Sequence, residues 1–296
     1  MILFVLGNVA NDSLYYVNKY PKSGETILAK KVLKDIGGKG FNQAVAARRT
    51  GVNVSFWTCT GSDEVSEKIL KILEKEEIPT NSILRQDAHA DESIIIINND
   101  GRNYIVSNCH NAESIDQNYV KIMFNSMKEG DALLIQGNLN EDVTHFCVFK
   151  AFKKKIKVFL NASPISFDYP KILPYVETLI VNESENKKLS NSKKIEIGNK
   201  ILLEMGVSNV ITTKGDRGLI YSSRNNEYSF KAAKVDVVDT TGAGDVFCGT
   251  LAAYICLGNN YKDSCLKSMN LASLSVKECG TYLSIPSKKI VNSIKN

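Results

Sequence analysis

The feature that most narrows the possible folds is a rhythm. Short runs rich in β-branched and aliphatic residues alternate with longer amphipathic ones along most of the chain. The runs ILFVL (2–6), VSFWTC (54–59), ALLIQ (132–136), KVFLN (157–161), TLIVN (178–182), NVITT (209–213) and KVDVV (234–238) read as strands. Helices are expected between them over residues 41–49, 64–75, 117–128, 143–153 and 196–205. The first ends at RRTG, with Gly51 where a left-handed residue past a helix end would sit. Near-continuous apolar strands alternating with helices imply an α/β fold, with a parallel sheet covered by helices on both faces.

Two segments break the rhythm. Residues 13–36 carry no helical stripe and read as extended. ESIIIINNDGRNYIVS (92–107) reads as a hairpin, with Asn99-Asp100-Gly101 turning between β-branched runs. Both are expected in one small antiparallel sheet apart from the main one. No repeat, low-complexity stretch or long linker divides the chain, so residues 1–296 read as a single domain with this sheet inserted as a lid. A hydrophobic content of 43% over 296 residues suits a globular protein with a sizeable core.

Charge and cysteine usage exclude several classes. Lys and Arg number 37 against 32 Asp and Glu, a formal charge of +5 with no basic stripe, so nucleic acid is not an expected partner. The seven cysteines form no CxxC pair, which argues against a disulfide framework or zinc site and for a reducing compartment. His89, His110 and His145 form no ligand motif. The amino-terminal apolar run lacks the basic leader of a signal peptide, and no run approaches the ~18 residues of a membrane span. The expectation is a cytoplasmic protein without a membrane partner.

In open α/β sheets, ligands bind beyond the carboxyl ends of the strands. GNVAND, NASP, NESE, TKGDRG and DTTGAGD all fall at such ends. The last lies within KVDVVDTTGAGDVFCGTLAAYI (234–255), where Gly242, Ala243 and Gly244 turn into a helix amino terminus. Small residues there let backbone N–H groups converge on an anion, and the helix dipole adds positive charge. No Walker loop occurs, and Phe247 replaces the third glycine of a dinucleotide fingerprint. Asp245 would repel a bound phosphate. It makes sense as the base that accepts the proton of an attacking hydroxyl; a helix-capping acid is the other reading. A second glycine turn, DIGGKGFNQAVAARRTG (35–51), also precedes a helix. Gly37 and Gly38 allow close backbone approach, while Lys39 and Asn42 offer donors and an amide to a polyol.

Together, these stretches resemble the two signatures of the ribokinase-like sugar kinases, also called the phosphofructokinase B family, and the likeness runs along nearly the whole chain. It implies an α/β three-layer sandwich with a small β-sheet lid. It implies that Asp245 is the catalytic base and that backbone N–H groups from Gly242 through Ala243 and Gly244 to Asp245 form the anion hole. NESE resembles the family's NxxE element, giving Asn182 a phosphate role and Glu185 a magnesium role through water. TTKGDRG resembles the nucleotide loop, placing Thr213, Gly215 and Gly218 near ATP. Asp12, Gly37, Gly38, Lys39 and Asn42 match sugar-binding positions. Asp239, Gly280 and Ser284 fall where ribokinases hold a monovalent cation, commonly potassium.

Two departures concern the sugar. Ribokinases generally carry asparagine two residues before the sugar-binding aspartate, where Ala10 stands here. They also carry glutamate where QGNLN offers Asn138. Each lost group leaves a sugar hydroxyl unpaired at about 1–3 kcal/mol, so the resemblance supports a kinase more strongly than it supports ribose. A nucleoside kinase acting on a ribonucleoside or pseudouridine is the alternative, with Phe41, Tyr15 or Tyr104 stacking on the base. A non-catalytic sugar- or nucleotide-binding regulator is the remote one. The exposed strand edges of the lid suggest a homodimer packed lid against lid.

Overall fold

The computed structural model describes residues 1–100 and 103–294. The first half of the chain forms strands β1 (Ile2–Leu6), β2 (Ala10–Tyr16), β3 (Lys31–Gly37), β4 (Asn53–Trp57), β5 (Cys59–Thr60), β6 (Leu84–Arg85), β7 (Glu92–Ile97), β8 (Asn103–Ser107) and β9 (Ala132–Gln136). Strands β10 (Lys157–Asn161), β11 (Thr178–Asn182), β12 (Asn209–Thr213), β13 (Leu219–Ser223) and β14 (Glu227–Phe230) follow. The helices begin with α1 (Lys39–Arg49), α2 (Glu64–Lys75), α3 (His110–Glu113), α4 (Gln117–Ser126) and α5 (Glu141–Lys153). They continue with α6 (Glu183–Ser190), α7 (Ile195–Glu204), α8 (Ala243–Cys256), α9 (Tyr261–Ser275) and α10 (Lys288–Ile294).

The main sheet runs β14-β13-β12-β11-β10-β9-β1-β4. Pairing is parallel from β4 to β12, and β13 and β14 close one edge antiparallel. Side chains of a strand alternate between faces, and the core divides accordingly. Phe4, Leu6, Leu133 and Ile135 pack with residues of α4, α5 and α7 on one face. Leu3, Val5, Ala132 and Leu134 pack with residues of α1, α2 and α8 on the other. This is the α/β sandwich expected from the rhythm.

Side-chain caps fix where several helices begin. Asp63, Asp116, Asn140 and Asn260 accept the amides of Ser66, Tyr119, Val143 and Asp263 at 2.8–2.9 Å. Each such cap contributes about 1 kcal/mol. The Asn140 cap is why α5 starts two residues before the expected Val143. At the other end of α4, Met127 is already extended, so the helix stops short of Lys128. Gly51 takes the left-handed conformation expected of it, with φ of 98°.

A separate four-stranded sheet runs β3-β2-β7-β8, built from the two segments that broke the rhythm. It is mixed rather than purely antiparallel, because β2 and β7 pair parallel. Of the expected hairpin turn, Gly101 lies outside the described residues.

One expected strand is not formed. Residues 234–238 pair with no strand and run exposed, and only at Val238 and Asp239 do backbone amides bond to the Val276 carbonyl. The strand order ends at β14 and β4, and this apolar run takes no place in it.

Candidate active site

The carboxyl ends of β1, β9, β10, β11 and β12 converge with the amino termini of α1 and α8. Unlike α2, α4, α5, α6 and α9, which begin on side-chain caps, α1 and α8 begin on glycines with no side-chain cap. Gly242 caps α8 with φ of 78°, a left-handed conformation that other residues adopt only with strain. Within the turn, Ala243 N–H donates to Thr240 and Asp245 N–H to Gly242. Of the four amides expected in an anion hole, those of Gly242 and Gly244 therefore stay free of partners among the described residues. Those of Ala243 and Asp245 are used to close the turn. A Cβ on Gly244 would meet nothing within 4 Å, so the space above it is open.

Asp245 is buried, at 8% exposure. Asn42 Nδ2 donates to its Oδ2 at 3.3 Å and Gln43 Nε2 to its Oδ1 at 3.0 Å. An acid that merely capped α8 would take backbone amides of the first turn; this one is instead held by side chains of another helix. Asn42 Oδ1 is buried with no partner among the described residues. Asp12 lies on β2 at 3% exposure, so close to Gly37 that a Cβ there would come within 1.8 Å of the Asp12 carboxylate. Burial pushes the Asp12 carboxyl up to about 7; the Thr281 and Ser93 hydroxyls work against this, and the charges of Asp35 and Asp245 add to it. Gly38, with φ of 95°, lets the same turn press against Val9. Asn138 follows β9, and its Oδ1 is also buried without a partner among the described residues. Unpartnered buried acceptors, one of them on the residue that holds the Asp245 carboxylate, suit a ligand rich in hydroxyl donors.

A cleft of about 160 Å³ opens beside Asp245, lined by Lys39, Asn182, Glu185, Thr213 and Gly244 among others. Lys39, expected among the sugar-binding positions, thus faces the residues expected to hold phosphate and metal. Asn182 and Glu185 form a capping box on α6: Asn182 Oδ1 accepts from Glu185 N at 2.9 Å, and Glu185 Oε2 accepts from Asn182 N at 2.8 Å. No third His, Cys, Asp or Glu completes a metal cage with Glu185 among the described residues. One carboxylate fits Mg²⁺ that keeps most of its waters and arrives on nucleotide phosphates, since Mg²⁺ is held in that way rather than by all-protein cages. Gly215 is open, whereas Gly218 is pressed to the sheet edge, where a Cβ would come 1.9 Å from the Phe230 carbonyl. Cys248 also lines the cleft, but burial and the Asp245 charge push its thiol well up, so it stays protonated.

Asp239 is fully buried. Its Oδ1 accepts from Thr241 N at 2.9 Å, and its Oδ2 accepts from Tyr16 O–H at 2.7 Å and Gly280 N at 3.2 Å. Ser284 Oγ donates to Thr281 O at 3.1 Å. No basic side chain forms an ion pair with Asp239 among the described residues. A buried acid answered only by neutral donors fits a monovalent cation at this point.

The three rings expected to stack on a base do not face the cleft. Phe41 is wholly buried against Tyr282. Tyr15 and Tyr104 both stand opposite Ile96 in register, on the face of the small sheet turned away from Asp12. The residues missed from sequence are amides and hydroxyls that act through neighbours. Gln43 follows Asn42 directly, Gln136 ends β9, Asn161 ends β10 inside NASP, and Tyr16 falls on the same side of β2 as Asp12. Adjacency to Asn42, the strand-end positions and that parity are the signals that could have found them.

A family model described as pfkB family carbohydrate kinase matches residues 3–288. A ribokinase of Dictyostelium discoideum is 31% identical, covering 97% of this chain and 98% of its own length. A deoxyribokinase of Salmonella typhi is 28% identical, covering 97% and 96%. The crystal structure of ribokinase from Thermotoga maritima is similar over 100% of both chains, with a TM-score of 0.89 and 29% identity.

Proposed function

The chain belongs to the pfkB family of carbohydrate kinases and is a sugar kinase, and from that membership we propose that it transfers the γ-phosphoryl group of ATP to a hydroxyl of a free sugar. The observation that carries this reading is Asp245, buried at the uncapped amino terminus of α8 with both oxygens held by amides. In that position the carboxylate takes the proton of the attacking hydroxyl. Asp12, Gly37, Gly38, Asn42 and Asn138 orient the sugar, whose hydroxyls donate to the buried acceptors. The Gly242 and Gly244 amides and the α8 dipole hold the charge that gathers on the transferred group. Asn182 and Lys39 face the phosphates and Thr213 borders the rest of the nucleotide from the cleft, with Gly215, open on its own side, placed beyond it.

Glu185 would hold Mg²⁺ through water, and Mg²⁺ neutralises the β- and γ-phosphates when bound. Asp239, Gly280 and Ser284 would hold potassium or another monovalent cation beside the turn. A free sugar is favoured over a nucleoside because none of the three candidate rings turns to the cleft. The small sheet acts as a lid that excludes water, and its outer face joins a second copy of the chain. Seven free cysteines suit a reducing, cytoplasmic setting. No helix among the described residues is long and apolar enough to cross a membrane.

The test is a coupled ATPase assay with magnesium and potassium, run across ribose, deoxyribose, fructose and free nucleosides. One or more sugars should stimulate ATP consumption, nucleosides should not, and Asp245→Asn should lose turnover by about 10²-fold or more while still binding ATP. Near-normal turnover in Asp245→Asn would overturn the base assignment.

A further inference from the structure

Gln43 is fully buried on α1, and its amide joins three elements. Nε2 donates to Asp245 Oδ1 at 3.0 Å and to Asn161 Oδ1 at 3.2 Å, while Oε1 accepts from Gln136 Nε2 at 2.9 Å. One fixed point sets the orientation of each amide in this chain. Asn161 Nδ2 donates to the backbone carbonyl of Ile180 at 3.3 Å, an oxygen that can only accept. Asn161 therefore turns Oδ1 to Gln43, Gln43 answers with Nε2, and Gln136 presents its own Nε2 to Gln43 Oε1. A flip at any step would set two acceptors or two donors face to face in a buried place. What reaches Asp245 is an N–H.

We propose that Gln43 is a positioning residue that fixes the rotation of the Asp245 carboxylate, with Gln136 and Asn161 holding its amide in place. The inference rests on the reading of Asp245 as the base. The terminal torsion of an aspartate is broad and two-fold, so a carboxylate needs anchors to keep one oxygen on its target. Asn42 makes the longer bond, and its own Oδ1 is unpartnered and available to a ligand. Gln43 makes the shorter bond and is not among the residues that line the cleft. Anchored on Oδ1, Asp245 keeps Oδ2 for the hydroxyl. A rival account makes these amides a purely structural core network with no bearing on turnover.

Gln43→Met keeps the volume and removes the donors. It should lower kcat about 10- to 100-fold, the loss expected when a reacting group is misplaced by about 1 Å, with KM for sugar and ATP within about threefold of the parent. In an Asp245→Asn background the same change should cost less than about twofold, because Gln43 acts only through Asp245. Calorimetric ATP binding reports whether each variant is folded. Unchanged kcat, a loss carried by KM, or effects that multiply with Asp245→Asn would each overturn the proposal. If Gln43→Met fails to fold, Gln136→Met decides: a kcat loss of about 3- to 10-fold at constant KM supports it, and no loss or a KM loss overturns it. Full turnover in Asp245→Asn itself would instead strike the base assignment.

Discussion

The acid that departs most from its ordinary behaviour is Asp12. Burial raises its carboxyl from 3.8 to about 7; the Thr281 and Ser93 hydroxyls oppose the rise, and the charges of Asp35 and Asp245 reinforce it. The unfolded chain releases this proton near the ordinary value and the folded chain holds it until about 7, so the folded state binds more protons in between. Stability should therefore fall as pH rises from about 4 to about 7 and level off above. Asp12→Asn removes that dependence. Melting curves across the same range should show the variant gaining a few degrees relative to the parent toward neutral pH. A constant difference would mean that Asp12 is ionised in the fold at acid pH. Activity carries the opposite sign if the sugar donates to the ionised carboxylate. The KM for sugar should then rise as pH drops below about 7, without any such rise in the KM for ATP.

Helices α1 and α8 have to approach closely for Asn42 and Gln43 to reach Asp245, and Gly249 permits it. A Cβ at Gly249 would lie 2.3 Å from the Gln43 carbonyl, which is backbone and cannot step aside. Gly249→Ala should force the helices apart, destabilise the fold by about 1–3 kcal/mol and lower kcat, as read by urea melts and initial rates. An unchanged kcat with lowered stability would show that the bonds to Asp245 survive a wider spacing. At this scale the sequence was a good guide where one physical rule dominated. The strands β1, β9, β10, β11 and β12 match the apolar runs residue for residue, because a strand covered on both faces must be apolar throughout. The rule failed at the sheet edge. In β13 and β14, Ser222, Ser223, Glu227 and Ser229 interrupt the apolar run and hide an antiparallel pair. KVDVV looks like a buried strand but is left outside the sheet. At the site, Asp245 and Asn42 stood out within their glycine-marked stretches, whereas Gln43, in the same stretch as Asn42, and Gln136 and Tyr16, within strands, did not. Their roles depend on which element folds against which, and that is a tertiary property.

The small sheet is tied to the anion-hole turn at two points, Tyr16 to Asp239 and Asn103 to Thr241, at 2.7 and 3.0 Å. Its inner face is thus committed to the site, while its outer face stays largely open, with Tyr20 set edge-on to Tyr104 at 4.4 Å between ring centroids. That outer face carries Tyr15, Val32, Ile94, Tyr104 and Val106, all exposed. Monomeric proteins seldom leave so many large apolar side chains together in water. Its two edges differ. Strand β3 carries Lys31 and Lys34, the kind of charge that blunts an edge, whereas β8 reads Asn-Tyr-Ile-Val-Ser and has no charge at all. A second copy of the chain, packed on this face and along β8, would bury both the apolar patch and the unblunted edge. Sedimentation at micromolar concentration should therefore show a dimer. Ile94 and Val106 are cross-strand neighbours at the centre of the patch, so Val106→Lys should set two like charges against each other across a two-fold axis. The variant should sediment as a monomer that retains ATP binding. A parent protein that is monomeric at micromolar concentration would exclude the dimer outright. A Val106→Lys protein that stays dimeric would move the interface elsewhere and leave the exposed sheet face to another role.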